Sequence, residues 1–99
     1  MNINWEVNYP KGLIKYIDFF RKKYFQYDIF DNIVGQYIKE HSQFEPKTIC
    51  SLGSGTGRHE VELAKLGYRV IGLERNEESV GIAKAYIEEQ NSNVEIVKC

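Results

Sequence analysis

The chain has 99 residues, 42% of them hydrophobic and 27% charged, with a formal net charge of -1. That length holds one domain at most, and charges of both signs mixed along it exclude the basic face of a sequence-independent nucleic-acid binder. No apolar run approaches the ~20 residues that cross a bilayer, the amino terminus carries no signal-peptide pattern, and Cys50 and Cys99 make no disulfide framework or metal cluster, so a cytoplasmic protein with reduced thiols is expected.

In chain order, Trp5 to Tyr9 form an aromatic-bearing lead. Gly12 to His41 predict two helices meeting near Tyr24 to Asp28. Leu13, Ile14, Ile17, Phe20 and Tyr24 make an apolar stripe on the first. Phe30, Ile33, Val34, Tyr37 and Ile38 make one on the second, at i, i+3, i+4, i+7 spacing. His41 closes that helix, where its charge suits the dipole, so it reads as structural. Two readings suit the pair: helices packed on a sheet, or a lid over a site. Under the second, Trp5, Tyr9, Tyr16 and Tyr27 are candidates to line the cleft, where an aromatic cage would attract a methyl-ammonium or sulfonium group. Ser42 to Pro46 read as a linker.

An α/β pattern follows, with strands near 47–52, 69–74 and 94–98 and helices near 57–66 and 77–91. The apolar run Thr48 to Leu52 reads as a strand buried on both faces, with Cys50 a small core residue. Gly53, Gly55 and Gly57 follow at every second position. Glycine turns with φ > 0 and lets the main chain lie against a ligand. Val61, Leu63, Ala64 and Leu66 stripe the next helix, which Gly67 ends. Arg58 and His59 open that helix and read as solvent-facing or lid-contacting rather than catalytic. Glu74 ends the second strand, where ligands of open α/β sheets bind, and its carboxylate can accept both hydroxyls of a ribose. Glu77 and Glu78 complement the dipole of the following helix.

The dinucleotide fingerprint G-x-G-x-x-G would put its third glycine at Arg58; the glycines here spell G-x-G-x-G instead. On Ile49 to His59, then Val70 to Asn76, then the helix Glu77 to Ala85, the chain resembles the class I S-adenosylmethionine-dependent methyltransferases. The resemblance covers Lys47 to Cys99. It implies an α/β, Rossmann-like methyltransferase fold, here partial: three parallel strands with crossover helices, preceded by N-terminal helices. Residues 1–45 would be a helical lid or cap, and 46–99 the first half of the S-adenosylmethionine-binding domain. Gly53, Ser54, Gly55 and Gly57 would form the loop under the methionine part of the cofactor. Glu74 would hold the ribose, and Arg75 would lie near the adenine. One departure stands out. The family carries Asp or Glu two residues before the first glycine, helping to hold the cofactor's amino group; this chain has Ser51, which can hydrogen-bond but brings no charge.

Right-handed crossovers predict the strand order 3-2-1, which leaves the first strand at an edge that the family flanks with a fourth. The chain therefore reads as a truncated, cofactor-binding half of a methyltransferase. Weak cofactor binding and no turnover are expected of these 99 residues by themselves. Methyl transfer to a small molecule needs mostly in-line positioning, so no catalytic residue can be named. Two alternatives remain. One is a non-catalytic Rossmann-like module that pairs through its strand edge, with a homodimer as its sign. The other is an NAD-dependent oxidoreductase half-domain.

Overall fold

The computed structural model describes residues 12–42 and 47–99. Trp5 and Tyr9, most of the linker and the proposed boundary between residues 45 and 46 lie outside the described residues. Two helices come first, α1 (Leu13–Tyr24) and α2 (Tyr27–His41). The alternation β1 (Thr48–Leu52), α3 (Arg58–Lys65), β2 (Arg69–Glu74), α4 (Glu77–Glu89), β3 (Glu95–Lys98) follows. Every element falls where the residue pattern places it, to within two residues at most ends.

Local chemistry accounts for these boundaries. Arg21, Lys22 and Lys23 crowd the last turn of α1, where cations suit the helix dipole. The extended Phe25 then breaks the chain before α2. Helix α3 opens on Gly57, whose φ of 77° only glycine adopts without strain. Asn76 caps α4, its side chain accepting from the Ser79 amide at 2.9 Å, with Glu77 and Glu78 in the first turn.

The three strands are parallel in the expected order β1-β2-β3, one of the orders compatible with right-handed crossovers. Both crossovers run the same way across the sheet, so α3 and α4 lie on one face. That face carries the core. Val61 and Leu63 of α3, Val70 of β2, Ile87 of α4 and Val94 form a buried cluster, with Ile49 and Ile96 packed against it.

The opposite face is bare among the described residues. Side chains alternate along a strand, and register partners share a face. Cys50 pairs with Ile71, and Leu52 with Leu73, which in turn faces Val97. Leu52 is 80% exposed and Val97 44%. Two expectations are corrected here. The apolar run of β1 is not buried on both faces, because no described element covers the second one. Cys50 is therefore exposed rather than a small core residue.

The N-terminal helices do not pack on the sheet either. Helix α2 lies on α3, and α1 on α4. Much of each predicted stripe stays in solvent: Phe20, Tyr24, Phe30, Ile33 and Tyr37 are all about half exposed or more. The most buried residues of these helices are instead Asp18, Asp31 and Gly35.

Candidate functional site

The glycine turn is a compact knot at the carboxyl ends of β1 and β2. The amides of Gly53 and Ser54 both donate to the Leu73 carbonyl, at 2.8 and 3.2 Å, and the Gly57 amide donates to the Ser54 carbonyl at 3.1 Å. Gly53, Gly55 and Gly57 all take positive φ, which is why this spacing needs that residue type. Glu74 holds the knot from the side. Its carboxylate accepts the Gly55 amide at 2.8 Å and the Asn76 amide at 2.9 Å, tying the turn to the start of α4.

Above the turn lies an open cleft of about 250 Å³. Its walls are Gly55 and Thr56 from the turn, Glu74, Asn76 and Ser79 from the β2–α4 junction, and Ile14, Ile17, Asp18 and Arg21 from α1. These four positions of α1 recur at i, i+3, i+4 and i+7, so one face of the helix forms a wall. The volume is a little under the ~300–1,000 Å³ of complete small-molecule pockets, so a nucleoside-sized ligand would extend beyond it.

Two consecutive residues, Arg58 and His59, fasten the N-terminal helices to this site. Arg58 donates to Asp18 of α1 through Nε at 3.1 Å and through a terminal nitrogen at 2.8 Å. The pair is buried, and the guanidinium sits 3.6 Å over the Tyr86 ring. Burial pushes the Asp18 carboxyl up, but hydrogen bonds from Arg58 and Thr56 outweigh it, and the net shift is down. His59 Nδ1 sits 2.9 Å from a carboxylate oxygen of Asp31 on α2, with Tyr27, Phe30 and Phe25 around its ring. Burial holds the Asp31 carboxyl above its ordinary value, with His59 opposing.

Of the residues expected at the site, the structure brings Gly55 and Glu74 to the cleft and Gly53, Ser54 and Gly57 into the turn beside it. Arg75 is exposed, just past β2. Arg58 and His59 contact the N-terminal helices; the solvent-facing option fails for Arg58, which is 8% exposed. Tyr16 is 67% exposed and Tyr27 packs on His59, so neither lines the cleft. Asp18, Arg21 and Thr56 were missed. Ile14 and Ile17 of the predicted stripe do line the cleft, but Asp18 and Arg21 beside them are polar and gave an apolar pattern no signal. His41 ends α2 and stacks on Tyr37, consistent with a structural role. No group of His, Cys, Asp and Glu that could hold a metal occurs among the described residues.

This geometry defines a class: a parallel α/β unit with a glycine turn, and an acidic strand end facing a cleft walled by α1, as in class I S-adenosylmethionine-dependent methyltransferases. The family model described as tellurite resistance protein TehB matches residues 13–98, and the chain belongs to that family. A Geobacillus sp. (strain WCH70) protein named as a methyltransferase is 35% identical over 69 residues, which are 70% of this chain and 28% of that protein. TehB from Haemophilus influenzae is 32% identical over 83% of this chain and 27% of its own, with a TM-score of 0.60. A Methanococcus maripaludis structure described as an S-adenosyl-L-methionine-dependent methyltransferase aligns over the whole chain and 45% of its own, at 24% identity and a TM-score of 0.76. The chain thus spans about a quarter to a half of the length of these relatives. The dinucleotide alternative loses its ground: the position its third glycine needs holds Arg58, buried against Asp18.

Proposed function

We propose that this chain is the cofactor-binding part of an S-adenosylmethionine-dependent methyltransferase that acts on a small molecule in the cytoplasm. The observation that carries the reading is the Glu74 carboxylate, placed between the glycine turn and α4 and lining the cleft. A carboxylate there can exchange its amide partners for the paired hydroxyls of a ribose. The residues present fit the cofactor. The cleft offers a ribose acceptor beside a turn with glycine at three of its five positions.

The cofactor supplies a methyl group already activated on sulfur. The chain's own work is to bind and orient. Gly53 to Gly57 would shape the floor, Glu74 would take the ribose, and Arg75, one residue on, would meet the adenine. Ile14 and Ile17 give the cleft an apolar wall on α1, and Arg21 gives that wall a cation. A small acceptor suits a cleft narrowed by a helix and a chain without a basic face. No described helix is long and apolar enough to cross a membrane. The reading extends to a homodimer, supported by the exposed Leu52 and Val97 of the bare sheet face.

Calorimetric titration of S-adenosylmethionine, S-adenosylhomocysteine and NADH into the chain tests the cofactor. Both sulfur ligands should bind and NADH should not, and Glu74→Ala should weaken the sulfur ligands by about tenfold or more. Binding of NADH alone, or indifference to Glu74→Ala, would sink the reading.

A further inference from the structure

We propose that Asp31 and His59 form a proton-dependent latch: α2 docks on α3 while the pair holds a proton between them, and loosens as pH rises and that proton leaves. Asp31 is 2% exposed, so its carboxylate is shut off from water. Its two oxygens lie 3.0 and 2.9 Å from a single atom, His59 Nδ1. That nitrogen is the one hydrogen-bond partner of the carboxylate among the described residues. A buried carboxylate is costly unless its partner also brings charge. Imidazole is the side chain that gains and loses its charge between about pH 5 and 8. The His59 side chain is 43% exposed, so protons reach it from solvent while Asp31 stays covered. A neutral ring still donates one hydrogen bond, but only a protonated one cancels the buried charge.

No neighbouring cation can take over. From α2, Asp31 and the Tyr27 ring face the imidazole, with Phe25 and Phe30 completing an apolar collar. From α3, the charged groups that reach the pair are the buried Glu60 and Glu62, both acids. Lys65 answers Glu62 and Asp28, and Arg58 is engaged by Asp18 of α1 and Tyr86 of α4. Arg21 of α1 reaches Tyr27. Burial raises the carboxyls of both Asp31 and Glu60, and His59 is among the groups that oppose the rise in each. Two buried acids thus depend on one imidazole.

Little else holds α2. Val34 packs, partly buried, against the core, and Gly35 closes on Leu66, where a Cβ would come within 2.6 Å. Ile29, Phe30, Ile33 and Tyr37 stay exposed. Because Asp31 is held above its ordinary 3.8, its contribution is fully present below that value and is lost as pH rises through the folded one. The range over which the proton leaves belongs to the pair and not to either residue.

Hydrogen exchange between about pH 6 and pH 8, corrected for intrinsic amide rates, tests the latch. Protection across Tyr27–His41 should fall by about tenfold over that range while β2 keeps its protection. Asp31→Asn keeps an acceptor for the Nδ1 proton and removes the charge, so its α2 should stay protected throughout. Should Asp31→Asn fail to fold, His59→Gln keeps an N–H donor without a titrating charge at a half-exposed site, and its α2 should be poorly protected at every pH. Protection of α2 that ignores pH in the unaltered chain, a matching fall in β2, or a pH dependence that survives either substitution would overturn the latch.

Discussion

The α/β unit and the N-terminal helices are attached to the same molecule by different physics. In the α/β unit, Val61, Leu63, Val70, Ile87 and Val94 are buried together, and aliphatic burial holds strand to helix. Helices α1 and α2 add no fully buried apolar residue to that core, and only Val34 of α2 packs, partly buried, against it. Each is fastened by one buried aspartate, Asp18 to Arg58 and Asp31 to His59, while most of their large aromatics stay exposed. Apolar burial is non-directional and tolerates repacking, whereas a buried ion pair demands one geometry and is costly when broken. The core therefore makes the scaffold. The Asp18–Arg58 ion pair sets where α1 stands over the cleft, and the Asp31–His59 contact fastens α2, both from the two residues that follow the glycine turn.

The contrast can be broken from either side. Leu63→Ala should lower global stability by about 3 kcal/mol, read by denaturant unfolding followed by circular dichroism, with all helices lost together. Asp18→Ala leaves the Arg58 charge uncompensated. It should cost about 2 kcal/mol, felt mostly as undocking of α1 into solvent. Hydrogen exchange would then speed up across Leu13–Tyr24 far more than in β2, and S-adenosylhomocysteine would bind less tightly because a wall of its cleft has moved. Uniform exchange across the chain would show that α1 belongs to the same cooperative unit as the core.

The smallest and sharpest test is acid titration of two carboxylates that move in opposite directions. Burial holds Glu60 above its ordinary 4.5, so its contribution to stability is fully present below that value and is lost as pH rises through the folded value. The net shift of Asp18 is downward from 3.8, so its contribution is present above that value and is lost as pH falls through the folded one. Glu60→Gln should therefore match or exceed the unaltered chain in stability near pH 7, with the comparison turning against it as pH falls towards about 4. Asp18→Asn should be less stable near pH 7, and its deficit should shrink below about pH 4. The same direction for both variants would contradict these environments.

Much of the scaffold was legible in the residues. A short apolar run, three alternate glycines, an apolar stripe ended by Gly67 and a second run ending in Glu74 are local signals, and local backbone preference sets them. The strand order 3-2-1 was expected and is found, but right-handed crossovers also allow 2-1-3, so the tertiary structure decided between them. The stripes of α1 and α2 misled, because periodicity reports that a helix has two faces and not which one it buries. Cys50 misled for a related reason: its neighbours are apolar, but no described layer lies over it.

By itself, then, the sequence determined the element order, the parallel three-stranded sheet, the glycine turn and the acidic strand end, all consequences of interactions within a few residues or of chain chirality. The tertiary structure decided what depends on distant residues meeting. It set Asp18 against Arg58 across 40 positions and Asp31 against His59 across 28. It brought the carboxylate of Glu60 up to Ser51, and it turned the Ile14 and Arg21 face of α1 into a wall of the cleft. Side chains so far apart in the chain are brought together by packing, and no spacing rule in one sequence encodes which of many charges will find which.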